Sequence, residues 1–265
     1  MFQRIVCAIV FLGSIGFALS GRAQAQGSVT AQTDSTCSYS FSTGANNTSL
    51  QYCVSKNGNV QYITTPAGHG NSGTDEGYGV CDTGTGSSYE EWGSRFGNTL
   101  NWGPANVTTH TATVVKTVRT TIDNFFTLTQ TITMVPSNSS IKVAMALKNN
   151  TTVARNVNLV RYIYATPDDN LIANYDGTQN GAFAWRSIGT GNSPFGLMMQ
   201  TVGTSPFAGY NGFAQNSADP PYSCDYVRHW TGGLAQNING SLVTVWVGTL
   251  PARGSKTFTI SYKGM

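Results

Sequence analysis

The sequence predicts an all-β protein, an antiparallel β-sandwich with long irregular loops. Apolar and polar residues alternate with a period of two in run after run from Thr108 onward, as in strands with one buried face. Polar turn clusters separate these runs, and no amphipathic segment is as long as three helical turns. Repeated strands separated by polar turns predict two packed antiparallel sheets, and a closed barrel is the alternative that periodicity leaves open.

The elements follow in order along the chain. The first is a hairpin from Leu50 to Thr64 that turns at Asn57-Gly58, a pair that accepts the positive φ angles of tight hairpins. Four long runs then predict a meander of antiparallel strands. One face of each run carries, in order, Val114, Lys116, Val118 and Thr120; Phe126, Leu128, Ile132 and Met134; Ile141, Val143, Met145 and Leu147; and Val157, Leu159, Arg161 and Ile163. Shorter strands are predicted at Phe183–Ile188, Phe195–Thr201, Leu242–Thr249 and Thr257–Tyr262.

The N-terminus has the pattern of a cleavable signal peptide. A basic start ending at Arg4 precedes an apolar run from Ile5 to Leu19, which is shorter than the roughly 20 residues of a membrane-spanning helix. The small-x-small sequence Ala23-Gln24-Ala25 follows. We therefore expect residues 1–25 to be removed, and residues 26–265 to form a single sandwich domain that is secreted, either extracellular or periplasmic. A buried helix is the alternative reading of the apolar run.

The charge balance argues against a nucleic-acid-binding protein. Loss of Arg4 and Arg22 would leave 13 basic residues against 12 acidic ones, from 15 and 12 in the whole chain. The remaining lysines and arginines are scattered singly along the sequence, whereas nucleic-acid binders concentrate basic residues on one face. A low charged fraction of 10% with abundant Gly, Ser, Thr and Asn is typical of exported β-proteins.

Four cysteines remain after the predicted cleavage, an even number that suggests two disulfides in an exported chain. Four cysteines allow three pairings, and we expect Cys37 with Cys53 and Cys81 with Cys224. Zinc ligation is the competing interpretation, but no C-x-x-C spacing supports it.

Two segments interrupt the strand rhythm: Pro66 to Asn106 is rich in glycine, and Pro206 to Gly240 is irregular and aromatic. Long irregular segments inside a compact domain are often functional loops. We therefore expect the functional site in these two segments.

The strand and turn pattern resembles that of exported bacterial β-sandwich proteins of uncharacterised function, whose shape is similar to the sandwich of the galactose-mutarotase-like group. The resemblance covers roughly residues 75 to 175 and rests on the segments Asp75–Val80, Asn124–Gln130, Val143–Asn150 and Arg155–Tyr162. It implies the fold. Mutarotases act through histidines and a glutamate base, and the last glutamate of this chain is Glu91.

The glycine-rich segment holds the carboxylates that could perform acid–base chemistry on a glycosidic bond, which requires a pair at a defined separation. The candidate catalytic residues are Glu90 and Glu91, with His69 or His229 as a base. The predicted Cys81–Cys224 bond would bring His229 towards this acidic segment. The alternative is a set of solvated carboxylates in an exposed loop that also contains Asp75, Glu76 and Asp82.

A second acidic cluster offers oxygen ligands of the kind that calcium prefers. It comprises Asp168, Asp169 and Asp176, and calcium is the only cofactor that the sequence suggests. Because Asp and Asn also initiate turns by bonding their own backbone, a structural turn after Thr166-Pro167 is the alternative.

Aromatic residues in or near the predicted loops could stack on sugar rings, with neighbouring polar groups bonding the hydroxyls. The candidates for ligand binding are Trp92, Trp102, Tyr210, Tyr226 and Trp230, and Trp185 and Tyr222 lie in similar sequence. Such residues can equally fill small satellite cores.

These observations favour a secreted, non-catalytic β-sandwich that binds a polysaccharide or a cell-surface glycan. A polysaccharide-acting hydrolase or lyase that uses Glu90 and Glu91 is one alternative. A disulfide-bonded structural component of the envelope is the other.

Overall fold

Two antiparallel β-sheets face each other across one hydrophobic core, and a small third sheet contributes side chains to the same core. The structure is a computed structural model that describes residues 37–93, 99–169, 172–178, 180–186, 195–203, 209–215, 223–225, 230–231 and 233–265. All of these residues fall in one compact unit. The predicted signal peptide lies outside the described residues and stays a prediction.

The described residues form nineteen strands and three short 3-10 helices. In chain order the strands are β1 (Tyr39–Thr43), β2 (Leu50–Val54), β3 (Val60–Thr64), β4 (Ser72–Asp82), β5 (Ser87–Glu91), β6 (Thr99–Leu100), β7 (Asn106–His110), β8 (Val114–Thr120), β9 (Phe126–Val135), β10 (Ser140–Asn149), β11 (Arg155–Ala165), β12 (Ala173–Thr178), β13 (Gly181–Arg186), β14 (Phe195–Thr201), β15 (Gly209–Gln215), β16 (Trp230–Thr231), β17 (Ala235–Ile238), β18 (Gly240–Leu250) and β19 (Ser255–Gly264). The helices are Asn46–Thr48, Pro136–Asn138 and Pro167–Asp169. In this part of the chain no helix has the length and apolarity that crossing a bilayer would need.

The strand order confirms the predicted sandwich. The nine-stranded sheet runs β17-β12-β13-β14-β19-β10-β9-β8-β7, the seven-stranded sheet runs β16-β15-β18-β11-β4-β5-β6, and the small sheet runs β1-β2-β3. Each order ends in two edge strands, so the sheets do not close into a barrel within the described residues. We call the face of each large sheet that points to the shared core its inner face, and the opposite face its outer face.

The predicted alternation is confirmed on β9, β10 and β11, whose apolar sets point inwards and are buried. The predicted four-stranded meander is wrong in its last step. Strands β8, β9 and β10 pair in succession, but β11 pairs with β18 and β4 in the other sheet. The chain changes sheets at the turn after Asn149, whose side-chain amide donates to the carbonyls of Val153 at 2.7 Å and Pro251 at 3.0 Å.

The glycine-rich segment from Pro66 to Asn106 is not the irregular loop that the sequence suggested, because it contributes β4 and β5 to the seven-stranded sheet. At Gly77 and Gly79, which occupy outer positions of β4, neighbouring groups fill the space of a side chain. A Cβ at Gly77 would lie 2.8 Å from the ring of Tyr162, and one at Gly79 would overlap the carboxylate of Glu90. These two glycines therefore mark close packing within a sheet.

Both predicted disulfides are present: Cys37 is bonded to Cys53, and Cys81 is bonded to Cys224. The first bond joins the beginning of the described chain to β2. The second spans 143 residues and fixes the segment around Cys224 on the outer face of β4. Two disulfides are compatible with an extracellular or periplasmic protein.

Candidate functional site

Glu90 and Glu91 are consecutive on β5 and therefore point to opposite faces of the seven-stranded sheet. Glu91 points into the core, where it accepts a charge-assisted hydrogen bond from Arg119 at 2.5 Å. Glu90 points outwards and accepts hydrogen bonds from the backbone N–H of Ser223 at 2.8 Å and from its hydroxyl at 2.5 Å. The two carboxylates lie on different sides of the sheet, so they cannot act together on one glycosidic bond.

Glu76 is a second carboxylate that is fully buried between the sheets. It forms an ion pair with Arg161 and accepts hydrogen bonds from the hydroxyl of Tyr262 at 2.6 Å and the backbone N–H of Val60 at 2.8 Å. Arg161 also donates to the side-chain carbonyl of Gln130 in the opposite sheet. Buried charges persist only when they are paired and hydrogen-bonded, and this network meets both conditions.

The predicted hairpin turn at Asn57-Gly58 is present, but it is inserted between the two large sheets. The carbonyl of Asn57 accepts hydrogen bonds from the hydroxyl of Tyr78 at 2.7 Å and the amide of Gln130 at 3.2 Å. The carbonyl of Gly58 accepts one from Arg161 at 3.0 Å. The turn therefore supplies polar partners for the buried groups, and the inner carboxylates are part of the folded core.

The expectation of solvated carboxylates in an exposed loop is thus wrong. Every one of these carboxylates is buried, and the set comprises Asp75, Glu76, Asp82, Glu90 and Glu91. Glu90 differs from the inner ones because no arginine lies among its hydrogen-bond partners in the described residues. Burial raises the pKa of Glu90 to about 8, while hydrogen bonds from Ser223 and Trp92 act in the opposite direction.

Of the two candidate histidines, His69 is not placed together with these glutamates. His69 lies with its Nδ1 atom 3.3 Å from Asp168 and its ring 4.2 Å from that of Phe195, measured between ring centroids. Arg186 lies 3.9 Å from the same Asp168 carboxylate. His229 lies outside the described residues, so its role stays a prediction.

The candidate calcium ligands Asp168 and Asp176 lie on separate elements. Asp168 lies in the short helix Pro167–Asp169 with a φ of 61°, and Asp176 lies on β12, where its Oδ1 accepts a hydrogen bond from the N–H of Gly177 at 2.7 Å. Within the described ranges, no group of three His, Cys, Asp or Glu residues could hold a metal ion. The arrangement corresponds to the turn alternative.

Two of the five candidate aromatic residues are buried and offer no face to a ligand. Trp92 is 7% exposed and Trp102 is 2% exposed, because the flat indole of each fills space between strands and gains from leaving water. The backbones of Tyr210 and Trp230 lie in β15 and β16, but their side chains lie outside the described part, as does the whole of Tyr226.

A half-exposed aromatic pair lies instead on the outer face of the nine-stranded sheet. Phe183 and Trp185 alternate along β13 with Ala182 and Ala184, whose small side chains are buried in the core. Strand β14 places Gly196 opposite Trp185. A Cβ at Gly196 would overlap the carbonyl oxygen of Ala184 and lie 2.9 Å from the Cβ of Trp185, so the glycine permits the close approach of β13 and β14 beside Trp185.

This pair lines a shallow groove of about 450 Å³ together with Asp176, Thr178 and Met265. Asp176 lies on β12 directly opposite Phe183. The groove therefore combines two aromatic faces with a carboxylate and a hydroxyl. Of this set, the sequence had indicated only Trp185 as a stacking residue and only Asp176 as a ligand, and it had assigned them to separate sites.

A larger groove of about 660 Å³ borders the first one at Met265. Its lining includes His69, Phe195, Lys263 and the turn Pro136–Ser139. It is more polar in its lining residues, and its single aromatic wall, Phe195, is buried. The larger groove is therefore a more polar continuation of the aromatic groove.

No family model and no curated protein matches the sequence. Among solved structures, the chain is similar to a bacterial glucoamylase complexed with acarbose, with 12% identity and a TM-score of 0.56 over 88% of this chain and 33% of that one. It is also similar to a proposed aldose 1-epimerase from Escherichia coli K12, with 9% identity and a TM-score of 0.48 over 85% of this chain and 98% of that one. The chain spans one third of the length of the glucoamylase, and at this identity the similarity shows the sandwich fold alone.

Proposed function

We propose that this protein is an exported carbohydrate-binding sandwich without catalytic activity, and that it binds a glycan in the groove lined by Phe183 and Trp185. The observation that carries the proposal is this partly exposed pair on the outer face of the sheet, beside Asp176 and Thr178. Aromatic faces stack on the C–H groups of sugar rings, and a carboxylate and a hydroxyl accept or donate hydrogen bonds to the sugar hydroxyls.

The fold similarity to a glucoamylase that was solved with acarbose supports a carbohydrate-related role by analogy. The two disulfides support export. Neither observation identifies a binding residue. The groove does, because Phe183 and Trp185 line it.

The arrangement of carboxylates supports binding over hydrolysis. The two carboxyls of a glycosidase lie about 5 to 9.5 Å apart and flank the bond that they cleave, whereas Glu90 and Glu91 point to opposite faces of the sheet. The raised pKa of Glu90 alone favours the hydrolase or lyase alternative.

The test measures retention of the purified protein on a panel of neutral and acidic polysaccharides, together with the release of reducing ends or unsaturated products. We expect retention without product release. Trp185→Ala should weaken binding roughly tenfold or more, as for a central aromatic contact. Tyr62→Ala is the matched control, because Tyr62 is 50% exposed on the small sheet, away from the groove. Product release, or equal binding by the Trp185→Ala variant, would refute the proposal.

A further inference from the structure

The outer face of the nine-stranded sheet has a strongly asymmetric charge. Its outward positions carry four of the six lysines of the chain, namely Lys116, Lys142, Lys148 and Lys263. Among the strand residues of this sheet that the structure describes, Asp176 is the only carboxylate. Most of the lysines are therefore concentrated on one face, although the formal net charge of the whole chain is only +3.

The lysines lie in register with the aromatic groove. Successive strands place Lys263 opposite Met198, Met198 opposite Phe183, and Phe183 opposite Asp176. Lys142 lies opposite Ser261, two residues before Lys263. Strand geometry puts the backbones of Lys142 and Lys263 roughly 8 Å apart, which is about one Debye length at physiological salt. Their potentials therefore add over the face that leads to the groove.

Between the lysines the face carries short side chains, and many of them have hydroxyl groups. Strand β9 presents a row of half-buried threonines, Thr127, Thr129, Thr131 and Thr133. The neighbouring strand β10 presents Ala144 and Ala146 at the centre of the face, between Lys142 and Lys148. A surface of this kind can lie along an extended chain of sugar units and offers hydroxyl partners along its length.

We infer that this basic face binds an acidic polysaccharide, with the lysines pairing with sugar carboxylates while Phe183 and Trp185 stack on the rings. The inference rests on the proposed function and names its ligand class. A nucleic acid fits less well, because the outward positions of the described strands carry no arginine, the residue that recognises phosphates and bases by bidentate bonding.

The test compares polygalacturonate, alginate and hyaluronan, each with its carboxyl-reduced and therefore neutral counterpart, and includes a DNA duplex. We expect at least one acidic polymer to bind roughly tenfold more tightly than its reduced form, with affinity falling as salt rises. The double variant Lys142→Glu/Lys263→Glu should lose that advantage. Lys56→Glu should keep it, because Lys56 is exposed on the β2–β3 turn.

The possible results distinguish the acidic-ligand inference from glycan binding itself. Equal binding of acidic and reduced polymers, with Trp185 still required, would overturn the acidic ligand and leave glycan binding intact. Tighter binding to DNA than to every polysaccharide would identify the face as a nucleic-acid surface and also overturn the inference. Binding to no polysaccharide of either kind would refute the proposed function itself.

Discussion

Glu90 and Glu91 are adjacent in sequence and separated by the thickness of a β-sheet. Glu91 forms an ion pair with Arg119 inside the core, whereas Glu90 accepts two hydrogen bonds from Ser223 on the outer face. The pair that looks most like a catalytic dyad in the sequence therefore has two unrelated environments. Three predictions about stability follow from these and neighbouring contacts.

The first prediction concerns Glu91. Replacing it with glutamine leaves the buried guanidinium of Arg119 without its counter-charge, so Glu91→Gln should lower the free energy of unfolding by about 3 kcal/mol. Urea denaturation measures this loss. Asp176→Asn is the matched control, since Asp176 is half-buried and forms no ion pair within the described residues, and it should change stability by less than about 0.5 kcal/mol.

A double variant separates the ion pair from simple packing. Glu91→Gln/Arg119→Met removes both charges and should recover part of the stability lost in the single variant. A double variant that is less stable than Glu91→Gln would show that Arg119 does not depend on Glu91.

The second prediction concerns the pH dependence of stability. The folded state raises the pKa of Glu90 from 4.5 to about 8, so between these values the folded protein holds a proton that the unfolded chain has released. The contribution of Glu90 is therefore fully present below pH 4.5 and is lost as pH rises towards 8. The loss amounts to about 1.4 kcal/mol for each unit of pKa shift.

The neutral variant Glu90→Gln removes this dependence. Its free energy of unfolding relative to the wild type should rise steadily between pH 5 and 8, measured by urea denaturation at each pH. Parallel profiles for the two proteins would mean that Glu90 is charged in the folded state.

The third prediction concerns the inserted turn. Gly58 has a φ of 88°, and a Cβ there would lie 2.4 Å from the side-chain amide of Gln130. Gly58→Ala should therefore cost backbone strain and also displace a buried hydrogen bond. Gly68 has a φ of 82° with no atom within 4 Å of a Cβ, so Gly68→Ala should cost only the strain, about 1 to 2 kcal/mol.

The difference in stability between Gly58→Ala and Gly68→Ala measures the effect of the contact between residue 58 and Gln130. Thermal or urea unfolding should show the larger loss for Gly58→Ala. Equal losses would indicate that the turn is not held against Gln130.

Alternation predicted the strands of the nine-stranded sheet well, because β9 and β10 each have one core face and one polar face. The same rule failed for β4. Its outer positions are Gly77 and Gly79, whose space is filled by Tyr162 and Glu90 from neighbouring strands. When only the sequence is read, a strand glycine that is covered by a residue distant in sequence cannot be told from a loop glycine.

The site was harder to predict than the fold, because its residues come together only through strand register. Phe183 and Asp176 meet across β12 and β13, and Lys263 joins them two strands away. No local motif records that arrangement. Trp92 and Trp102 stand in turn-rich sequence like exposed aromatics, yet strands from other parts of the chain cover them. Glu76 and Glu91, which point into the core, likewise depend on arginines more than 25 residues away.

The most direct measurement of the central claim is a titration of the isotope-labelled protein with an oligosaccharide from a retained polysaccharide, followed by backbone amide chemical shifts. Glycan binding at the aromatic groove predicts saturable shifts at Asp176–Thr178 and Phe183–Arg186, and their loss in Trp185→Ala. Shifts confined to the surroundings of Glu90 or Tyr62, or no shifts with any oligosaccharide, would contradict it.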